Sequence, residues 1–344
     1  MRLRLLPSVL MLALSAFAGG AMAQKTQLLV YTALETDQLK TYQEAFNKVE
    51  PNIELKFVRD STGVIIAKLL AEKANPQADA IWGVAATGLA LFDQQGMLIP
   101  YAPLNLDAIM PQYRDKKSPP AWWGMNVYGA TVCFNTIEAK KRNIPKPESW
   151  KDLLKPAYKG QIVMPNPASS GTGYFDVVAW LQLWGDDNGK GGGWKYMDDL
   201  HENIAQYTHS GSKPCNMAAS GEYVVGISFE YRAHSNKAKG APIDLVFPKE
   251  GLGWDLEAFG IHKGTKKLDA AKKLADWASS KDAMIAYSKN FAITAQPGVA
   301  PKLANIPADY ESRLVKMDFD YAAGNRDRIL AEWNKRYNAK SEKR

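Results

Sequence analysis

Long apolar stretches are scarce in this chain, and the one clear run lies at its beginning. That run, Leu5–Phe17, follows Arg2 and Arg4 and precedes the small-residue signal Ala21-Met22-Ala23. A basic start, a short apolar run and an A-x-A site are typical of a secretory signal peptide. No later run is long enough to span a bilayer. We therefore predict a signal peptide over residues 1–23, cleavage after Ala23 and export of the mature chain.

Cysteine and histidine are also scarce. The chain has two cysteines, Cys133 and Cys215, and four histidines. Two cysteines alone cannot form the usual four-ligand structural zinc site. In an oxidising compartment they could form one disulfide bond, and two buried thiols are the alternative. Neither an H-E-x-x-H nor a G-x-S-x-G motif occurs, so the sequence indicates neither an enzyme nor a cofactor.

A large excess of charge of one sign is missing as well. The formal net charge of +7 falls to +5 when the two arginines of the signal peptide are removed. The basic residues are spread along the chain, and their largest cluster is the tail, Lys340–Arg344. This pattern indicates no nucleic-acid partner. The mature chain is long enough to bury more than one core, so we expect two lobes.

Strand and helix patterns alternate over the first hundred residues. Gln27–Thr32, Ile53–Arg59 and Ala78–Gly83 read as strands, and a helical pattern follows each of them. This alternation predicts an α/β fold with a mostly parallel sheet covered by helices. Ligands bind beyond the carboxyl ends of such strands. At or just past those ends lie Thr32, Glu35, Ser61, Thr62 and Trp82.

A hydroxyl-rich loop stands out later in the chain. It lies between the apolar run Gln161–Met164 and a helical stretch, Phe175–Trp184, and contains Ser169, Ser170 and Thr172. The first N–H groups of a helix lack intrahelical partners, and the helix dipole is positive at that end. Such a place binds phosphate-like anions without a lysine or arginine. An ordinary serine or threonine helix cap is the alternative interpretation.

Three segments carry a family resemblance. Tyr31–Glu35, Ala71–Gly83 and Pro165–Gly173 resemble the extracellular solute-binding proteins of ABC importers, in the branch containing ferric-ion, polyamine and 2-aminoethylphosphonate receptors. The first and third segments are most similar to the 2-aminoethylphosphonate receptors. The resemblance implies a two-lobed periplasmic binding protein of type II, each lobe a mixed sheet flanked by helices. It also implies a monomer in the periplasm that delivers its ligand to an inner-membrane ABC permease.

The strand patterns suggest where the two lobes join. Trp123–Asn135 and Trp254–Ile261 read as long strands that cross between them. We predict that lobe 1 comprises residues 24–126 with 257–344, and that lobe 2 comprises residues 127–256.

The resemblance implies a ligand with two charged ends, an anionic phosphonate and a cationic amine. Donors for the phosphonate are expected from both lobes, and their charge-assisted hydrogen bonds would be strong: Ser61, Thr62, Ser169, Ser170 and Thr172. Acids for the amine are expected from Glu35, Asp255 and Glu257, the last two on one face of a strand. Trp82 and Tyr231 could contact the ammonium or the ethyl linker. Packing in the core is the alternative for these aromatics.

Other ligands of the same branch are the alternatives. Ferric receptors carry adjacent tyrosines where this chain has Glu230-Tyr231. Polyamine receptors carry a tryptophan and an acid where this chain has Asp255 and Glu257. A secreted enzyme that processes phosphonates or phosphates is a further alternative.

Overall fold

The computed structural model describes residues 25–343, so the predicted signal peptide lies outside the described residues. Its ten strands are β1 (Thr26–Thr32), β2 (Ile53–Arg59), β3 (Ala80–Ala85), β4 (Leu98–Ile99), β5 (Trp123–Asn135), β6 (Ile162–Pro165), β7 (Ile204–Thr208), β8 (Val225–Phe229), β9 (Ile243–Val246) and β10 (Trp254–His262). Its α-helices are α1 (Thr36–Val49), α2 (Thr62–Ala71), α3 (Ala86–Gln94), α4 (Thr136–Arg142), α5 (Gly171–Trp184), α6 (Gly192–Asn203), α7 (Lys213–Ser220), α8 (Glu230–Ala238), α9 (Leu268–Ala278), α10 (Lys281–Tyr287), α11 (Phe319–Gly324) and α12 (Arg326–Tyr337). Over this range, no helix is both long enough and apolar enough to cross a membrane.

The first lobe is built on three parallel strands and one antiparallel strand. β1 pairs with β2 on one side and β3 on the other, and β10 runs antiparallel to β3. Helix α1 buries Tyr42 and Phe46, and α2 buries Ile65, Ile66 and Leu69. We call this half of the molecule lobe 1. The N-termini of α1 and α2 therefore lie at the edge where β1 and β2 end.

β5 joins the two halves of the sheet. Its first residues, up to Gly129, pair with β10, and from Ala130 onward it pairs with β8 and β9. β6 lies parallel to both β7 and β8. We call the half that contains β6–β9 and helices α4–α8 lobe 2. The predicted α/β fold with a mixed sheet flanked by helices is confirmed.

The end of the chain returns to lobe 2. The ring of Trp333 in α12 lies 4.8 Å from that of Tyr207 in β7, and Arg336 lies over Trp194 of α6 at 5.0 Å. The predicted boundaries assign residues 257–344 to lobe 1, whereas α12 packs on lobe 2. Edge-to-face aromatic and cation–π contacts between segments more than a hundred residues apart decide this placement.

A disulfide bond lies inside lobe 2. It joins Cys133 of β5 to Cys215 of α7, with 5.3 Å between their Cα atoms. Both side chains are fully buried. The bond fastens α7 to the strand that enters lobe 2 and does not link the two lobes.

Candidate functional site

The hydroxyl-rich loop forms the start of α5. Strand β6 ends at Pro165, and the helix begins at Gly171 with Ser170 as its N-cap. The Ser170 hydroxyl accepts a hydrogen bond from the Gly173 N–H at 3.3 Å. Two further N–H groups, those of Ser169 and Ser170, donate to the Asn166 carbonyl. The strand, turn and helix start predicted from the sequence are therefore present.

The N-terminus of α2 faces this loop from lobe 1. The Gly63 N–H donates to the Ser169 carbonyl across the cleft at 2.8 Å. A Cβ atom at Gly63 would lie 2.1 Å from the Ala168 carbonyl oxygen, so only glycine permits this approach. A Cβ atom at Gly171 would lie 2.9 Å from the Thr62 hydroxyl oxygen. Two helix N-termini, each positive through its dipole, thus meet between the lobes.

A small cavity of about 50 Å³ lies at this meeting point. A buried water needs roughly 10–15 Å³, so the cavity has room for about four waters. Its walls come from both lobes and consist of Ala33, Glu35, Arg59, Ser61, Thr62, Gly83, Tyr128, Ser170, Gly171, Thr172, Gly211, Phe229 and Glu257. Six residues named from the sequence are among them, namely Glu35, Ser61, Thr62, Ser170, Thr172 and Glu257.

Arg59 is the main cavity residue that sequence reasoning missed. It is the last residue of β2, and its Nε donates to the Leu34 carbonyl at 2.9 Å. Its guanidinium lies 3.5 Å from the Glu35 carboxylate. Ser61 was selected because ligands bind beyond the carboxyl ends of parallel strands. The same reasoning applies to Arg59 and could have found it. Its presence corrects the expectation of an anion site without a basic side chain.

Glu35 is not free to receive an amine as predicted. Besides Arg59, it contacts Arg232 of lobe 2, with 3.2 Å between Nη2 and Oε2. Arg232 also lies 3.6 Å from Asp37. Two guanidinium groups thus neutralise Glu35, and the Arg232 contact joins the lobes beside the cavity.

Asp255 does not line the cavity, contrary to its predicted role. Its carboxylate accepts hydrogen bonds from the Thr87 hydroxyl and the Leu256 N–H, both at 2.7 Å. Thr87 lies in the first turn of α3, so this acid serves the start of a helix. Burial raises the pKa of Asp255 to about 7 despite those hydrogen bonds.

Glu257 is the one predicted acid that lines the cavity without an arginine partner. It is 8% exposed, and its Oε2 atom has no hydrogen-bond partner in residues 25–343. Burial, and then the nearby acids Glu230 and Glu35, raise its pKa well above the usual value. Asn126 lies opposite on β5, and within the same range its amide also lacks partners. A neutral carboxyl group here can both donate and accept hydrogen bonds.

The remaining predicted residues surround the cavity without lining it. The Thr32 hydroxyl accepts from the Leu34 N–H at 3.1 Å, and the Ser169 hydroxyl donates to the His209 carbonyl at 2.7 Å. Trp82 is fully buried and donates to the Tyr287 hydroxyl at 3.2 Å. Tyr231 packs against Phe291, with 5.4 Å between ring centres. Local turns and core packing use these side chains in this structure, and their contact with a ligand stays a prediction.

Two other features distinguish the small cavity from the rest of the described surface. A larger groove of about 1040 Å³ runs past Trp122, Trp254 and Phe319, but none of the eleven predicted ligand residues lines it. Among residues 25–343, no group of three or more His, Cys, Asp or Glu side chains could hold a metal ion. The small interlobe cavity is the place where helix N-termini, hydroxyls and an arginine converge.

Comparison with known proteins places this fold in a family. The family model described as "Bacterial extracellular solute-binding protein" matches residues 78–325. An uncharacterised protein of Haemophilus influenzae is 33% identical over 278 residues, which cover 80% of this chain and 79% of the relative. A Sinorhizobium fredii protein, provisionally described as an ABC transporter periplasmic-binding protein, is 28% identical over 75% of this chain and 71% of its own.

A solved structure and a more distant relative agree with that placement. The periplasmic binding protein AfuA of Actinobacillus pleuropneumoniae, solved with fructose-6-phosphate bound, is 32% identical with a TM-score of 0.84. The match covers 91% of this chain and 99% of AfuA. A Salmonella paratyphi A protein, provisionally named as binding 2-aminoethylphosphonate, is 23% identical over 72% of this chain and 70% of its own. The chain belongs to the bacterial extracellular solute-binding protein family and is a periplasmic solute-binding protein of an ABC importer, a class that captures a small molecule and delivers it to a permease.

Proposed function

We propose that the cleft captures a small organic ligand by a phosphorus oxyanion, either a phosphonate or a phosphate monoester. One observation carries this proposal. The N-termini of α2 and α5 meet at a cavity that Arg59 and the hydroxyl residues Ser61, Thr62, Ser170 and Thr172 also line. Helix N-termini and charge-assisted donors both favour a compact anion with several acceptor oxygens.

The predicted ligand, 2-aminoethylphosphonate, remains the first candidate in this class. Its phosphonate would occupy the donor-lined end of the cavity, and its amine would face Glu257. A neutral amine could take the proton of the Glu257 carboxyl, whereas an already cationic amine would require that proton to be released to solvent. Either route would leave a carboxylate–ammonium ion pair in a buried site. The pairing of Glu35 with two arginines leaves Glu257 as the main support for the amine.

A phosphorylated sugar is the second candidate. A neutral Glu257 could donate a hydrogen bond to a sugar hydroxyl and accept another without any change of charge. The similarity to AfuA, solved with fructose-6-phosphate, supports this option. The organic part of either ligand needs more room than about 50 Å³, which a wider separation of the lobes would supply.

Titration calorimetry on the mature protein tests the proposal. The panel is 2-aminoethylphosphonate, ethylphosphonate, fructose 6-phosphate, putrescine and ferric citrate. Binding of at least one phosphorus compound with one-to-one stoichiometry supports the proposal. Heat from putrescine or ferric citrate alone would overturn it in favour of another ligand class of the same branch.

Two sets of variants separate the candidates. Glu257→Gln should weaken 2-aminoethylphosphonate far more than ethylphosphonate if the amine faces this side chain. The same variant should change fructose 6-phosphate binding only modestly, because an amide also forms two hydrogen bonds. Ser170→Ala with Thr172→Ala should remove the preference for 2-aminoethylphosphonate over β-alanine, whose carboxylate needs fewer donors. An unchanged preference would show that the phosphonate binds to residues other than Ser170 and Thr172.

A further inference from the structure

The last described residues of the chain contact both loops that form the lobe 2 wall of the cavity. The Ser341 hydroxyl accepts a hydrogen bond from the Asn166 amide at 2.9 Å. The Glu342 N–H donates to the Tyr207 carbonyl at 2.9 Å, and its carboxylate accepts from the His209 N–H. We call Ser341–Glu342 the terminal strap. Asn166 opens the loop before α5, and His209 opens the loop that contains Gly211.

His209 connects this strap to the site and to the opposite lobe. Its carbonyl accepts from the Ser169 hydroxyl at 2.7 Å, next to the N-cap of α5. Its ring Nε2 lies 3.2 Å from the Asp60 Oδ1 atom of lobe 1. That same oxygen accepts from the Ser61 N–H at 2.7 Å, directly before α2. A continuous path of polar contacts thus runs from Glu342 to the start of α2.

The loop that begins at His209 packs closely against the hydroxyl groups of the cavity wall. A Cβ atom at Gly211 would lie 2.4 Å from the Thr172 hydroxyl oxygen and 3.0 Å from that of Ser170. A small displacement of this loop would therefore change the position of two predicted anion donors. Glu342 is well placed to prevent such a displacement of the loop, because its side chain is only 15% exposed and also pairs with Lys213.

We infer that the terminal strap is a positioning element for the ligand site, acting through His209 on both helix N-termini. Ser341 and Glu342 touch no ligand themselves. They set the spacing between the loop before α5 and the Gly211 loop, and they hold His209 where it meets Asp60 when the lobes close. The effect on ligand affinity rests on the proposed function, whereas the effect on loop order does not.

The experiment compares Glu342→Gln with the wild type, both as full mature chains. Lys343→Ala, an exposed neighbour, is the matched control. Hydrogen exchange measured by mass spectrometry without any ligand is the first readout. We expect faster exchange in peptides covering residues 166–172 and 207–212 and also in residues 60–66 of lobe 1. A purely local role of the tail would affect lobe 2 alone and would overturn the inference.

Ligand affinity is the second readout, with 2-aminoethylphosphonate and fructose 6-phosphate as probes. Glu342→Gln should weaken the bound probe about fivefold in the wild-type background and less than twofold in an Asp60→Asn background, because coupled sites are not additive. Equal losses in both backgrounds would overturn the inference. Should the wild type bind no phosphorus compound of the panel, the proposed function fails, and the exchange pattern still decides the role of the strap. Ser341→Ala, which removes only the Asn166 contact, serves as a milder variant if Glu342→Gln folds poorly.

Discussion

Charge at the cavity depends on a few side chains whose partners lie far away in the sequence. Arg59 and Arg232 both approach Glu35, and Arg232 also lies near Asp37, so the charges of these four side chains cancel when all are ionised. Glu257 adds no negative charge while it holds its proton, and its raised pKa favours that state. Arg59 and Glu257 both line the cavity, so at the residue scale its wall presents a guanidinium suited to an anion and a carboxyl suited to hydrogen bonding.

Arg59→Gln should weaken binding of a phosphorus ligand roughly tenfold to a hundredfold, because a hydrogen bond to a charged group contributes about 1.5–3 kcal/mol. Calorimetry with 2-aminoethylphosphonate and fructose 6-phosphate would measure the change. Arg142→Gln, an exposed arginine on α4, is the control and should bind as the wild type does. Unaltered affinity in Arg59→Gln would show that the hydroxyls and helix N-termini suffice.

At the element scale, the decisive feature is the meeting of α2 with the loop before α5. Neither helix presents a charged side chain in its first turn. Backbone N–H groups and hydroxyls are therefore the main polar groups where α2 meets the loop before α5. Gly63 is the contact point, since it donates to Ser169 and leaves no room for a Cβ atom.

Gly63→Ala should hinder lobe closure and weaken ligand binding at least tenfold, because the new methyl group would collide with the Ala168 carbonyl. Alanine favours a helix more than glycine does, so the unliganded protein should keep its melting temperature within a few degrees. Small-angle scattering with and without ligand would show whether the chain still compacts. Gly324→Ala is the matched control, because no atom lies within 4 Å of its added Cβ. Normal compaction in Gly63→Ala would contradict the close approach.

For the whole molecule, buried acids collect where β5 and β10 pass between the lobes. Glu230 is fully buried and accepts from the Gly129 N–H at 2.8 Å, at the residue where β5 changes partner strands. Burial raises its pKa to about 8, and burial raises that of Asp255 to about 7. Between the ordinary carboxyl pKa and these values, the folded chain holds protons that the unfolded chain has released.

The free energy of unfolding should therefore fall as the pH rises from about 5 to about 8, by up to about 1.4 kcal/mol per pH unit for each such group. Glu230→Gln keeps an oxygen for Gly129 but has no proton to lose, so its stability should fall less steeply with pH. Urea unfolding of the variant and the wild type across this range measures the difference. Glu44→Gln, on the exposed face of α1, is the control. Parallel curves for Glu230→Gln and the wild type would contradict a protonated Glu230.

Local patterns in the sequence were enough to predict the α/β fold and much of the cavity wall. Strand and helix periodicity depend on neighbouring residues, and so do the turns that end at Ser61 and Ser170. Because parallel strands end at a common edge, residues past those ends could be expected to converge. Six of the predicted ligand residues do line the cavity, and the roles of these residues in binding remain predictions.

Tertiary structure alone decided which polar side chains remain available to bind a ligand and which are paired with other residues. Glu35 meets Arg232, a residue 197 positions away, and Asp255 meets Thr87 across 168 positions. The terminal strap reaches His209 from 133 positions away. No local pattern encodes such pairs, because they form only after the sheet has brought distant segments together. Sequence alone therefore determined the framework and about half of the residues around the candidate cavity, and long-range packing determined the cavity's charge and its supports.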